Sequence, residues 1–95
     1  MIKIFSERYY ELKNTLEKML ILLNQSNDSV YAHQTVSEVK DFITESIKAI
    51  NRNKEIDKEK LLYLLLPTGS LQEISIENGW GEEFLKLASK VETLV

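Results

Sequence analysis

The chain has 95 residues, a formal net charge of −3, one histidine and no cysteine. The lack of cysteine excludes disulfides and cysteine-ligated zinc sites. The longest apolar runs, residues 19–23 and 61–66, are far shorter than the ~20 residues that span a bilayer, and the charged N-terminus does not read as a signal peptide. We therefore expect one domain, residues 1–95, in the cytoplasm and without a membrane partner.

The first 25 residues predict an amphipathic helix. Apolar side chains recur at alternating spacings of three and four, at Ile2, Phe5, Tyr9, Leu12, Leu16, Met19 and Leu23. Ile21 and Leu22 widen this stripe beyond the narrow seam of a coiled coil, which favours a helix of a bundle. The polar run 24–29 then indicates a turn, because its side chains bond local backbone.

A second helix is predicted from about Val30 to Arg52. Its buried stripe consists of Val36, Val39, Ile43, Ile47 and Ile50. Asp28 or Ser29 can cap a helix that begins at Val30, whereas Thr35 and Glu38 form the pattern of a capping box further along. Both starts are compatible with the sequence, and the polar residues 51–53 mark the end.

A third, short helix is predicted between Asp57, a suitable N-cap, and Leu66. Residues 61–66 are apolar on every side of this helix, which predicts burial on more than one side. Leucine favours helix, and no β-branched residue in the run supports a strand. Pro67 ends the helix, because the residue before a proline is pushed out of the α region.

Residues 67–84 are the most unusual part of the chain, since they contain its only proline, its only tryptophan and all three glycines. Backbone freedom is concentrated here, in a chain that otherwise reads as helix. Because binding groups tend to sit on irregular segments held by a rigid scaffold, we predict that this segment carries the functional surface.

Within this segment, Ser70 and Glu73 predict a capping box that opens a short helix from Leu71 to about Glu77. The next pair, residues 78–79, predicts a helix end with a left-handed glycine. The apolar residue that follows, Trp80, is expected to fold back onto the last turn.

The last helix is predicted to begin at Gly81, with Glu82 and Glu83 in its first turn, where negative charge complements the helix dipole. Its buried stripe consists of Phe84, Leu87, Ala88, Val91 and Leu94. Together the elements predict an all-α fold, a single-domain antiparallel bundle of three main helices plus one or two short helices.

The negative charge is concentrated in the C-terminal third. Residues 68–95 carry five glutamates and two lysines, whereas the rest of the chain is nearly neutral. The only concentration of basic residues, between Lys48 and Lys60, is interleaved with acidic ones. A nucleic-acid partner is not expected, because nucleic-acid-binding proteins present a clustered basic face.

No residue pattern predicts a catalytic or metal site. His33 is the sole histidine and is interpreted as a structural side chain at or near the surface. Glu38, Asp41 and Glu45 share one helix face, but Lys48 beside them favours a solvated face with local ion pairs. Neither a nucleophile elbow nor a phosphate loop is present, so we expect no enzymatic activity, no cofactor and no bound metal.

Trp80 and the glutamates around it are the predicted partner-binding residues. Trp80 has two interpretations, a buried anchor that ends the preceding helix or a hot spot of an interface. In the second, the surrounding carboxylates form an acidic rim, which consists of Glu73, Glu77, Glu82 and Glu83.

From Leu64 to Leu87 the sequence has the pattern L-x-x-P-T-G-S-L-Q-E-I-S-I-E-N-G-W-G-E-E-F-L-x-L. This pattern resembles the C-terminal part of small uncharacterised bacterial helical proteins, some of them similar to the presumed immunity proteins of polymorphic toxins. The resemblance covers about a quarter of the chain and implies a bacterial protein that binds another protein.

We therefore expect a non-enzymatic protein-binding domain, and the resemblance implies an immunity-type inhibitor of a bacterial toxin. An acidic surface steers towards a basic partner and can mask it. The alternative is a self-associating structural module, a homodimer that pairs surplus apolar side chains of the first helix such as Ile4, Tyr10 and Ile21.

Overall fold

The computed structural model describes the backbone of residues 3–67 and 69–95, and the side chains from residue 7 onward within those ranges. The described residues form five helices and no strand. The helices are α1 (Lys3–Asn24), α2 (Val36–Asn51), α3 (Lys58–Leu64), α4 (Ser70–Glu77) and α5 (Gly81–Leu94). The all-α fold class is confirmed.

Side chains from all five helices meet in one hydrophobic core. The predicted stripes of the three long helices supply most of it: Leu12, Leu16, Met19 and Leu23 of α1, all five predicted residues of α2, and Phe84, Leu87, Ala88 and Val91 of α5. The stripe residues Ile2 and Phe5 lie outside the described side chains. Helix α1 packs against both α2 and α5, and α4 packs against α5 and α2. The core therefore lies between the long helices, with α4 beside it.

Helix α2 begins at Val36, so the predicted start at Val30 is wrong and the later start at Thr35 is confirmed. The Thr35 hydroxyl oxygen accepts the Glu38 backbone N–H at 3.1 Å, and the Glu38 carboxylate accepts the Thr35 N–H at 2.9 Å. Asp28 accepts the Val36 N–H at 2.8 Å from the preceding loop. These bonds satisfy the backbone N–H groups of Val36 and Glu38, which have no partner within the first turn, and set the start of the helix.

Helix α3 has the predicted N-cap, since the Asp57 carboxylate accepts the Lys60 N–H at 3.0 Å. The helix ends at Leu64, two residues before the predicted end. The predicted burial on more than one side is wrong for half of the apolar run: Leu61, Leu64 and Leu65 are buried, whereas Leu62, Tyr63 and Leu66 are exposed. A two-turn helix at the edge of the core covers only one of its faces.

Helix α4 begins at Ser70, and its N-cap is Gly69, so the predicted capping box of Ser70 and Glu73 is wrong. The buried Ser70 hydroxyl turns towards the loop between α1 and α2, where it accepts the Gln34 N–H at 3.1 Å and donates to the Gln34 side-chain oxygen. Gly69 packs so closely that a Cβ atom would lie 2.9 Å from the carbonyl oxygen of Leu66. A glycine is required for this approach.

Among residues 3–67 and 69–95, no helix combines the length and the apolar character needed to cross a membrane.

Candidate functional site

The corner between α4 and α5 is a helix end of the Schellman type. Gly79 has a φ of 83°, the left-handed region that costs glycine little. The Trp80 N–H donates to the Ser75 carbonyl at 2.8 Å, and the Gly79 N–H donates to the Ile76 carbonyl at 3.3 Å. These two bonds satisfy carbonyls that the helix end would leave free. The helix end predicted at residues 78–79 is confirmed.

Four residues, Ser26, Asn27, Asn78 and Trp80, form what we call the polar clamp. Asn78 accepts the Asn27 backbone N–H and donates to the Asn27 carbonyl, each at 2.9 Å. The Trp80 indole N–H donates to the Ser26 hydroxyl at 2.9 Å. The clamp joins residues more than 50 positions apart, and it ties the loop between α1 and α2 to the α4–α5 corner.

Trp80 is buried, with only 8% of its surface exposed. Its ring meets Phe84 edge to face, at 6.5 Å between centroids and 70° between planes. Such geometry is favourable for aromatic pairs, and the indole N–H has its partner in Ser26. Most of the Trp80 side chain therefore lies in the core, as expected if Trp80 is a buried anchor.

Trp80 also lines a surface groove, which we call the α1/α5 groove. The groove has a volume of about 840 Å³. One wall comes from α1 through Lys18, Ile21 and Leu22, and the other comes from the end of α4, the corner and the first turns of α5. Ile21 and Ile76, one on each wall, are 57% and 58% exposed. Trp80 thus contributes to a concave surface with exposed apolar side chains on both sides.

The structure brings three of the five predicted partner-binding residues to this groove: Trp80, Glu82 and Glu83 line it. Glu77 is exposed at the end of α4 and Glu73 is partly buried, and neither lines the groove. In the described part of the chain, the single ion pair joins Glu45 and Lys48 at 3.8 Å. The groove carboxylates therefore have no described cation paired with them, although Lys18 lines the opposite wall.

The other polar candidates have structural or solvent-facing positions. Glu38 belongs to the capping box of α2, and the Glu45–Lys48 pair confirms the predicted local ion pairing on that helix face. His33 is exposed. Within residues 3–67 and 69–95, no three histidine or acidic side chains are grouped so that they could hold a metal ion.

The sequence-based reasoning missed a second exposed surface, on the loop between α1 and α2. Val30 and Tyr31 are 86% and 71% exposed there. A small cavity of about 200 Å³ nearby is lined by His33 together with Tyr63, Leu66 and Pro67 of the α3 end. A helix was predicted from about Val30, so these residues were not expected to lie on an exposed loop. The capping-box pattern at Thr35 was the signal that could have placed these residues in a loop.

No protein-family model, curated protein or solved structure matches this chain in the comparisons with known proteins.

Proposed function

We propose that the protein is a non-enzymatic binding protein, whose α1/α5 groove receives a basic, amphipathic segment of another protein. The observation that carries the proposal is the coincidence of three features in one groove: exposed apolar walls, an aromatic side chain held in place by a hydrogen bond, and carboxylates at the first turn of α5 that have no cationic partner among the described side chains.

The apolar walls supply the affinity in this proposal. Ile21 and Ile76 each have more than half of their surface exposed. Complete burial of an isoleucine side chain is favourable by roughly 1.5–3 kcal/mol, so covering the exposed part of each contributes about 1 kcal/mol. A partner residue between the two walls would cover both, next to the clamped Trp80. Anchors in such concave, pre-organised positions dominate binding free energies.

The carboxylates supply the preference for a basic partner. Glu82 and Glu83 lie in the first turn of α5 and are exposed. Lysine or arginine side chains that flank the apolar anchor of the partner would meet them. Exposed charges of this kind act mainly on the association rate and on the choice of partner, and salt screens them.

The resemblance of residues 64–87 to proteins linked with polymorphic toxins supports a narrower form of the proposal, an immunity-type inhibitor that masks a basic toxin in the cytoplasm. Glu73 and Glu77 extend the negative charge along α4 towards the groove and would act at longer range. We also propose that α1, α2 and α5 alternate in direction as an antiparallel bundle, which the packing of α1 against both other long helices supports.

The test uses two groove substitutions and one matched control. Ile21→Glu and Ile76→Glu place a charge in the groove, whereas Leu85→Glu places one at a site of equal exposure that does not line it. Proteins captured from the source bacterium are identified by mass spectrometry, and a basic partner found in this way is purified and titrated. We expect each groove substitution to weaken its binding roughly 30-fold, the effect of an interface hot spot, and Leu85→Glu to leave it unchanged.

A second comparison tests the charge. Glu82→Lys combined with Glu83→Lys should slow association at low salt, and the difference should shrink as salt is raised. Glu92→Lys, exposed on α5 but not lining the groove, serves as the control.

Binding that is equal for the wild-type protein, the groove variants and the Leu85→Glu control would reject the groove as the binding site.

The alternative function is self-association through α1. Tyr10 and Ile21 are 61% and 57% exposed, and a separation of eleven residues, about three helical turns, places them on one face. Ile4, the third residue of this hypothesis, lies outside the described side chains. Sedimentation at high concentration tests it: a wild-type dimer that Ile21→Glu converts to a monomer supports self-association, whereas a monomeric wild-type protein ends this hypothesis and leaves the groove proposal standing.

A further inference from the structure

We propose that Asn78, which precedes Gly79, is a site of deamidation. The native fold slows the reaction, and the modified residue opens the polar clamp. This inference does not depend on the proposed function. Asn78 is the only asparagine followed by glycine, since the other five precede residues with side chains. Asparagine is a thermolabile residue, and a following glycine, which has no Cβ, offers the least steric hindrance to attack by its backbone nitrogen.

The reaction is an intramolecular substitution followed by hydrolysis. The Gly79 backbone nitrogen loses its proton to solvent and forms a bond with Cγ of Asn78. Nδ2 takes up a proton from solvent, the Cγ–Nδ2 bond breaks, and Nδ2 leaves as ammonia. The product is a five-membered succinimide ring. Water then adds to one of its two carbonyl groups and breaks one C–N bond, which yields aspartate or isoaspartate at position 78. No oxidant or cofactor is needed.

The backbone of the corner prevents ring closure. Asn78 has a ψ of 10°, which places the Gly79 nitrogen on the same side of the Cα–C bond as the Asn78 nitrogen. Ring closure requires that nitrogen on the side of Cβ, so the peptide must rotate out of the turn first. The Gly79 N–H, which must be deprotonated, is directed at the Ile76 carbonyl at 3.3 Å.

The side chain of Asn78 is held as well. Its Oδ1 accepts the Asn27 N–H, and its Nδ2 donates to the carbonyls of Asn27 and Ile74, all at 2.9 Å. These three bonds must break before Cγ can turn towards Gly79. The reaction therefore proceeds through local opening of the corner. Its rate in the native protein equals the rate in the open chain multiplied by the fraction of molecules that are open.

The product does not fit the closed corner. A carboxylate at position 78 cannot donate to the carbonyls of Asn27 and Ile74, and it adds negative charge at the C-terminus of α4, where the helix dipole disfavours it. Isoaspartate also lengthens the main chain by one atom inside the tight turn. An aspartate at position 78 can still accept the Asn27 N–H, but its second carboxylate oxygen then faces the carbonyl oxygens of Asn27 and Ile74 instead of donating to them. This repulsion weakens the Asn27–Asn78 half of the clamp, and neither product returns to asparagine.

The first experiment measures the reaction itself. Native protein and protein unfolded in guanidinium chloride are incubated at the same mildly alkaline pH and temperature, and peptide mapping follows deamidation at all six asparagines. We expect Asn78 to react fastest in the unfolded chain, and about tenfold or more slowly in the native protein. Gly79→Ala should remove the fast reaction of the unfolded chain. Equal rates at Asn78 in the two states, or an unfolded chain in which Asn78 reacts no faster than the other five, would overturn the proposal.

The second experiment measures the consequence with Asn78→Asp and a matched control, Asn51→Asp, which adds the same charge at the exposed end of α2. Melting is followed by the emission of Trp80, the only tryptophan. We expect Asn78→Asp to lower Tm by roughly 4–8 °C, the shift that loss of about one net hydrogen bond causes in a domain of this size, and to shift native Trp80 emission to longer wavelength. Equal Tm values for the two variants, with unchanged emission, would show that the product does not open the clamp.

Discussion

Helices α2 and α4 end in the same backbone motif, but the two turns have different surroundings. After α2, Asn53 has a φ of 56°. The Lys54 N–H donates to the Ala49 carbonyl at 2.8 Å, and the Asn53 N–H donates to the Ile50 carbonyl at 3.1 Å. After α4, Gly79 and Trp80 occupy the equivalent positions with the same pair of bonds. Lys54 is exposed, whereas Trp80 is buried and clamped. The local motif ends each helix, and the side chain that follows it decides whether the turn becomes part of the core.

The largest expected difference between the turns is at the residue after the left-handed position. Trp80→Ala should lower the free energy of unfolding by about 3–5 kcal/mol, the usual cost of removing a buried aromatic side chain. The equivalent Lys54→Ala should change it by less than about 0.5 kcal/mol, since the side chain is exposed. Chemical denaturation followed by circular dichroism measures both. A cost below about 1 kcal/mol for Trp80→Ala would mean that the two turns are equivalent after all.

A smaller difference is expected at the C-cap positions, Asn78 and Arg52. Asn78→Ala removes three hydrogen bonds, two of them to the loop residue Asn27, and should cost about 2 kcal/mol, because part of the site is open to water. Arg52→Ala at the exposed C-cap of α2 should stay within about 0.5 kcal/mol. Thermal melting of the two variants compares them. Equal melting temperatures for the two variants would show that the hydrogen bonds of Asn78 do not stabilise the fold.

The smallest difference is expected at the left-handed residues themselves, where the two turns should behave alike. A Cβ atom at Gly79 would meet nothing within 4 Å, so Gly79→Ala should cost about 1 kcal/mol from the positive φ alone. Asn53→Ala should cost the same or less, because asparagine already carries part of that penalty. Denaturation curves recorded side by side test this equality. A loss above about 3 kcal/mol for Gly79→Ala would show that the corner contains strain beyond its φ.

The helices of this protein were predictable wherever their ends depend on neighbours in sequence. The Asp57 cap, the Thr35–Glu38 capping box and the turn at Gly79 involve residues at most a few positions apart, and their residue types are visible in the sequence. The apolar stripes were predictable for the same reason, since a helical repeat fixes which side chains share a face. Self-association, partner binding and the cytoplasmic location stay predictions.

The site was predictable only in part. The segment around residues 67–84 was singled out correctly as unusual, and Glu82, Glu83 and Trp80 do line one groove. The opposite wall comes from α1 through Ile21, and sequence spacing gives no sign that these two parts meet. Likewise, nothing local indicated that Ser70 bonds Gln34 and that Trp80 bonds Ser26.

The sequence by itself determined the all-helical class and most helix ends, because short-range hydrogen bonds and side-chain periodicity involve residues a few positions apart. Only the tertiary structure decided which capping residues turn away from their own helix, which half of the leucine-rich run in residues 61–66 is exposed, and that Trp80 lies at once in the core and in a groove. The positions of Ser70 and Trp80 involve hydrogen bonds to residues 36 and 54 positions away in sequence. Such contacts form only when whole helices pack, and packing favours the burial of complete faces over the preference of any single residue.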